Sequence, residues 1–445
     1  MGERGWRCSQ DDAPVGGRAR MLFRGDASGG CLAKRIHGRQ LTMPPAQGEY
    51  PLGTSQIRTG TFTLMTQLTP ARAMTAPALP DHAPVFLAPR GTTRPWYDLS
   101  TVDPMSLTYD DVLLAPQPQT EVESRRRVDT SVPFGPWRLD LPVVTAPMDT
   151  IVGDDMLALF EELGGCTFWP RCDDPVAVAV AHRVRFGPGV RCAYSIGLGD
   201  RPESTIELAR ALADAGVRMI LIDIAHGGQA RLVRTLGALQ SHPDLAEVVF
   251  VTGNIATASQ ARSYLEPEPV AAYVRVGVGS GGLCTTRLIA GTGVGQLSAI
   301  FDVAGTGLPV IADGGVRHPG DVAKALAAGS QVVMIGSLLA GTDETPGEVI
   351  DDGHGPRKFV RGQASFSYMI DNQIAVDKHR APEGEAGFVP VKGSARTILT
   401  QVSGGLRSAM SYTGAANLAE FRRRAVFTLV SNATLFENQP HIFRR

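Results

Sequence analysis

Eight short apolar runs recur between residues 143 and 335: Val143–Ala146, Cys166–Trp169, Ala193–Gly197, Met219–Ile224, Val248–Thr252, Tyr273–Val278, Pro309–Ala312 and Val332–Ile335. They are nearly unbroken rather than alternating. A strand of that kind is buried on both faces, which is the habit of a parallel sheet. Helical stretches lie between them, such as Ser204–Ala215, Thr257–Leu265 and Pro319–Ala328. Eight strand–helix units in about 200 residues predict an α/β chain closed as a (β/α)8 TIM barrel. An open doubly wound sheet is the competing arrangement.

Residues 1–95 have a different texture, rich in Gly, Pro, Arg and Thr and without sustained periodicity. They are expected to be a disordered N-terminal extension, with the barrel domain at 96–445. A docking arm is the other reading, and Met21, Met43, Met65 and Met74 are further candidate starts. No apolar stretch follows Met1, so no secretory signal is expected. Charge narrows the function classes. The chain has 43 basic and 44 acidic residues, net −1, which argues against a general nucleic-acid binder. No apolar run reaches the ~18 residues of a membrane span. The six cysteines include no CxxC pair, so neither a disulfide scaffold nor a zinc site is expected, and a cytoplasmic setting fits.

A barrel carries its chemistry on the loops that follow its strands. Here those loops hold Asp149, the stretch from Asp223 through His226, Gly253-Asn254, the glycine-rich loop Gly277–Arg287, Asp313-Gly-Gly315 and Gly336-Ser337. Turn chemistry explains any one of them. Six on one face point to a site. Cys284 on a glycine-rich loop is a candidate nucleophile, with backbone amides and Arg287 expected to favour its thiolate. Cys166, Cys172 and Cys192 lie in or beside strands and read as filler. Asp313 suits a ribose diol, and Gly315, Gly336 and Ser337 suit a phosphate. A second ligand could lie over Asp223 and Asn254.

Several stretches resemble the IMP dehydrogenase/GMP reductase family, in family order over residues 100 to 441. They are Leu107–Leu114, Ala146-Pro-Met-Asp-Thr150, the Cys284 loop, Gly295–Ala299, Ala312–Gly315, Gly336–Thr342, Pro382-Glu-Gly384 and Gly405–Gly414. The resemblance implies a homotetramer acting on a purine nucleotide monophosphate with a nicotinamide cofactor. It assigns Cys284 as nucleophile and Thr286 and Glu383 to proton management. Met148, Asp313, Gly315, Gly336, Ser337 and Gln363 go to the substrate, and Asp223 and Asn254 to the cofactor region. The carbonyls of Gly279, Gly281 and Cys284 are candidates for a monovalent cation such as K+. The family's CBS pair has no room in the second strand–helix loop.

Dehydrogenase and reductase differ in the flap between Met369 and Glu383. Dehydrogenases of this family carry an Arg-Tyr pair there that activates water. This flap is short, and Arg380 is its only arginine. That favours a GMP reductase using NADPH. IMP dehydrogenase with NAD is the alternative, supported by the stretches Thr286–Val294 and Gly336–Thr342 and by His226. A non-catalytic purine-nucleotide-binding regulator is a third reading. Ala146, Val360 and Gln363 replace a family serine, tyrosine and methionine, so a related purine nucleotide from nucleoside-analogue biosynthesis is a further candidate substrate.

Overall fold

The structure is a computed structural model that describes residues 106–438 except 267, 375–378 and 380, together with two strands, Val85–Leu87 and Thr93–Pro95. Residues 1–84, most of the segment expected to be disordered, lie outside the described residues. So does Arg380.

All eight expected strands are present, each within two or three residues of its expected ends. They are β1 Val143–Thr145, β2 Thr167–Trp169, β3 Cys192–Ile196, β4 Met219–Asp223, β5 Val249–Ile255, β6 Tyr273–Val276, β7 Val310–Asp313 and β8 Val332–Ile335. Every neighbouring pair is parallel, and β8 returns to β1 with Val333 opposite Val143 and Ile335 opposite Thr145. A bridge between Val144 and Cys166, with the Thr145 amide on the Cys166 carbonyl at 3.3 Å, joins β1 to β2. The sheet is therefore a closed barrel and not an open one.

Helices α1 Asp154–Leu163, α2 Pro175–Phe186, α3 Pro202–Asp214, α4 Ala230–Gln240, α5 Ala258–Arg262, α6 Gln296–Ala304, α7 Pro319–Ala327 and α8 Ala395–Tyr412 follow the strands. Their starts have local causes. Asp174 accepts from the Ala177 amide at 2.9 Å, with Pro175 in the first turn of α2. In α7 the Asp321 carboxylate takes the amides of His318 and Arg317. The expected helix Thr257–Leu265 is shorter than its pattern. After Arg262 the Ser263 hydroxyl bonds the Gln260 carbonyl at 2.7 Å and the chain tightens into a turn.

The amino-terminal mouth of the barrel is plugged by the hairpin Val132–Phe134/Trp137–Leu139. Phe134 is fully buried and packs on Tyr273 and Phe168, with ring centroids 4.7 and 6.3 Å away. This leaves the opposite mouth for a ligand. After β8 the chain builds a three-stranded antiparallel sheet from Val349–Asp351, Pro356–Arg361 and Ala386–Pro390. The helix Phe366–Asp371 lies between its last two strands in the chain. Two short strands fall inside the N-terminal segment. Val85–Leu87 pairs in parallel with Val426–Leu429, and Thr93–Pro95 pairs with Val85–Leu87.

Candidate active site

All six strand-end groups converge on the carboxy-terminal mouth through close loop and side-chain contacts. The loop of Cys284 leaves β6 and folds over the end of β7. Gly277 has φ 151°, and a Cβ there would stand 1.9 Å from the Asp313 carbonyl oxygen, so no other residue fits. The Ser280 hydroxyl donates to that same carbonyl at 3.2 Å. A Cβ on Gly282 would lie 3.0 Å from Ser337, which puts the cysteine loop against the β8 loop. The Met148 thioether would be 3.2 Å from a Cβ on Gly336, which brings the β1 loop to the same place.

Cys284 is exposed, and its Sγ is 3.2 Å from the Thr286 Oγ1. Thr286 opens the short helix Thr286–Ile289. The Glu383 segment is laced to this loop: the Thr285 amide donates to the Glu383 carbonyl at 2.9 Å and the Glu385 amide to the Leu283 carbonyl at 2.8 Å. Its other side is bonded to residues 362–364, through the Glu383 amide on the Ala364 carbonyl at 3.1 Å and the Gly362 amide on the Glu385 carbonyl at 3.0 Å. Among the described residues no donor engages the Glu383 carboxylate. Arg287 does not serve the thiolate as expected. Its guanidinium reaches back to the Val294 carbonyl at 2.5 Å. Cys166 and Cys192 are buried, and burial pushes both thiols up. They are the expected filler. Cys172 is exposed instead, because it lies past β2 in the turn before α2.

The floor of the site is a charged network that sequence reasoning missed. Arg275 on β6 is 7% exposed and donates from Nη1 to Asp223 Oδ1 at 2.5 Å. Its Nη2 and Nε both reach Asp313 Oδ2, at 2.9 and 3.1 Å. Asn254 Nδ2 donates to the same oxygen and to the Gly277 carbonyl, each at 2.8 Å. Asp313 Oδ2 is therefore filled, while Oδ1 accepts no described bond and is free for a ligand hydroxyl. Asp223 has both oxygens engaged, the second by Arg171 Nε at 3.4 Å. The one available signal was a lone charge inside the apolar run Tyr273–Val276. A buried charge of that kind needs partners.

Gln363 donates from Nε2 to the Pro147 carbonyl, between the β1 loop and the sheet after β8. Val360 is 2% exposed and offers no polar atom to a ligand. Two residues before Gln363, Arg361 holds Asp149 at 2.5 Å and Asp371 at 2.5 Å. Beside Asp223, the exposed His226 and the partly exposed Arg171 edge the mouth. Open donors there, next to the open Asp313 oxygen, fit a second polar ligand such as a dinucleotide. Of the three carbonyls considered for a cation, that of Gly281 accepts the Cys284 amide at 3.0 Å. Those of Gly279 and Cys284 accept no described bond. Among the described residues no cluster of three or more His, Cys, Asp or Glu could hold a metal, and no helix is long and apolar enough to cross a membrane.

Known proteins resemble this chain over the same region. The stretch is 40% identical over 263 residues to an inosine-5'-monophosphate dehydrogenase of Aquifex aeolicus, covering 57% of this chain and 52% of that protein. It is 42% identical over 244 residues to a GMP reductase of Leishmania donovani, covering 52% and 49%. The matched stretch thus spans about half the length of the curated relatives. A crystal structure of a GMP reductase variant from Trypanosoma brucei, in complex with guanosine 5'-monophosphate, superposes with TM-score 0.67 at 26% identity, covering 77% of this chain and 99% of that one. Residues 106–441 match the IMP dehydrogenase / GMP reductase domain, and the chain belongs to that family.

Proposed function

We propose that this chain is a GMP-reductase-like oxidoreductase that converts GMP to IMP and ammonia, with NADPH as reductant. The observation that carries the reading is the exposed Cys284 thiol 3.2 Å from the Thr286 hydroxyl, on a loop hydrogen-bonded to the Glu383 segment. The Cys284 thiol gives its proton through the Thr286 hydroxyl to Glu383 as Sγ forms a bond to purine C2, and the C2–N2 bond breaks. The departing nitrogen takes a proton relayed by Thr286 from Glu383 and leaves as ammonia. The nicotinamide cofactor supplies a hydride to C2 when bound. The C2–S bond then breaks, its electron pair returns to sulfur, and IMP leaves. Asp313 Oδ1 accepts a ribose hydroxyl. The amides of Gly315, Gly336 and Ser337 take the phosphate, and Met148 and Gln363 lie along the base. His226, Arg171 and Asn254 edge the cofactor's place, and Gly279, Gly281 and Cys284 would hold K+. A cytoplasmic homotetramer is part of the same reading.

IMP dehydrogenase is the second reading, because the stretch Thr286–Val294 and His226 follow that pattern. The flap decides between them. Residues 370–382 contain no Arg-Tyr pair to deprotonate water. Offered IMP and NAD, the enzyme is therefore expected to give one burst of NADH, about one per site, with Cys284 left as its thioimidate adduct with purine C2. Sustained XMP formation would reverse the assignment.

A further inference from the structure

The loop after β8 has its carbonyls almost fully engaged, and two of the donors are lysine ammoniums. Lys358 is 5% exposed, and its Nζ donates to the carbonyls of Thr342, Asp343 and Thr345 at 3.0, 3.0 and 2.7 Å. Lys392 Nζ donates to the carbonyls of Ser337 and Leu338 at 3.0 and 3.3 Å. Its own amide takes the Gly341 carbonyl at 2.9 Å. The hydroxyls of Thr342 and Thr345 take the carbonyls of Leu339 and Thr342, at 2.8 and 2.7 Å. The amide edge is the opposite. No acceptor among the described residues takes the N–H of Gly336, Ser337 or Leu338.

No carboxylate among the described residues pairs with either lysine. Three carbonyls solvate the buried Lys358 ammonium, but they do not neutralise it. A cation behind a turn's carbonyls and free amides in front align the peptide dipoles toward an anion. We propose that Lys358 and Lys392 are positioning residues of the phosphate site. They are fixed cations that hold the loop by its carbonyls and present its amide edge to the phosphate dianion of the nucleotide. This rests on the reading of the chain as a purine-nucleotide enzyme. Each lysine acts through the backbone of the loop.

The test compares GMP with guanosine, so that only the phosphate's share of binding is read. Calorimetry on the full chain gives the affinity ratio for the wild type, Lys392→Met, Lys392→Arg, Lys358→Met and Lys358→Arg. Lys392→Met is expected to lower the ratio about tenfold, and Lys392→Arg to restore part of it. Lys358→Met should lower it further. Because Lys358 is buried and its Met variant can fail to fold, the surface Lys392 pair carries the decision. A ratio for Lys392→Met within twofold of the wild type would overturn the proposal. A wild type that takes GMP no better than guanosine would overturn the reading beneath it, and the proposal with it.

Discussion

Arg275 and Asp313 face each other from adjacent barrel strands, with Nη2 and Nε of the one 2.9 and 3.1 Å from Oδ2 of the other. The pair is nearly sealed from solvent, and Asp223 shares the guanidinium. Removing the cation strands two carboxylates in a low-dielectric site. Arg275→Met is expected to cost about 3–5 kcal/mol of stability. Urea unfolding reads it directly. A loss below about 1 kcal/mol, the worth of a surface pair, would mean that the network relaxes or takes up water.

Cys284→Ala should keep nucleotide affinity and lose turnover by about 10⁴-fold or more, as a missing nucleophile does. Glu383→Gln should slow turnover by about 10²–10⁴-fold, because an amide cannot relay the proton at Thr286. Steady-state rates with ammonia detection check both. Near-normal turnover in the alanine variant would remove the covalent step.

His182 predicts a pH dependence of stability. It is buried, with Nδ1 2.9 Å from the Tyr194 hydroxyl and Nε2 3.2 Å from Asp154 Oδ1. Burial pulls its pKa below the ordinary 6.5, and the neighbouring Asp154 only partly offsets this. The unfolded chain therefore takes up the proton first as pH falls. Stability is full above pH 6.5 and declines as pH drops from 6.5 toward the depressed folded value. Melting temperatures from pH 8 to pH 5 should fall more steeply for the wild type than for His182→Gln. Parallel curves would show that His182 does not titrate on unfolding.

The N-terminal strands predict where truncation becomes costly. A chain beginning at residue 85 keeps Val85–Leu87 on the edge of Val426–Leu429, whereas one beginning at residue 96 leaves that edge bare. The second should melt several degrees below the first. Equal melting temperatures would show that these strands add nothing.

The barrel was legible because each strand is a local apolar run, and its ends fall where Gly, Asp and Asn interrupt it. Asp313, Asn254 and Cys284 were legible for the same reason, since each ends a strand or rides its loop. What joins them was not. Arg275 meets Asp223 across 52 positions of sequence, and Lys358 and Lys392 meet a loop that only the sheet after β8 brings to them. Arg287 shows the converse. Its nearness in sequence suggested a partner for the thiolate, but its guanidinium turns to Val294.

In the proposed reaction Cys284 releases the purine's 2-amino group before C2 is reduced. The direct measurement follows NADPH absorbance and free ammonia together while the full chain is given GMP. Steady turnover is expected, with one ammonia and one IMP per NADPH oxidised. No ammonia from GMP, alongside steady reduction of NAD with IMP, would contradict it.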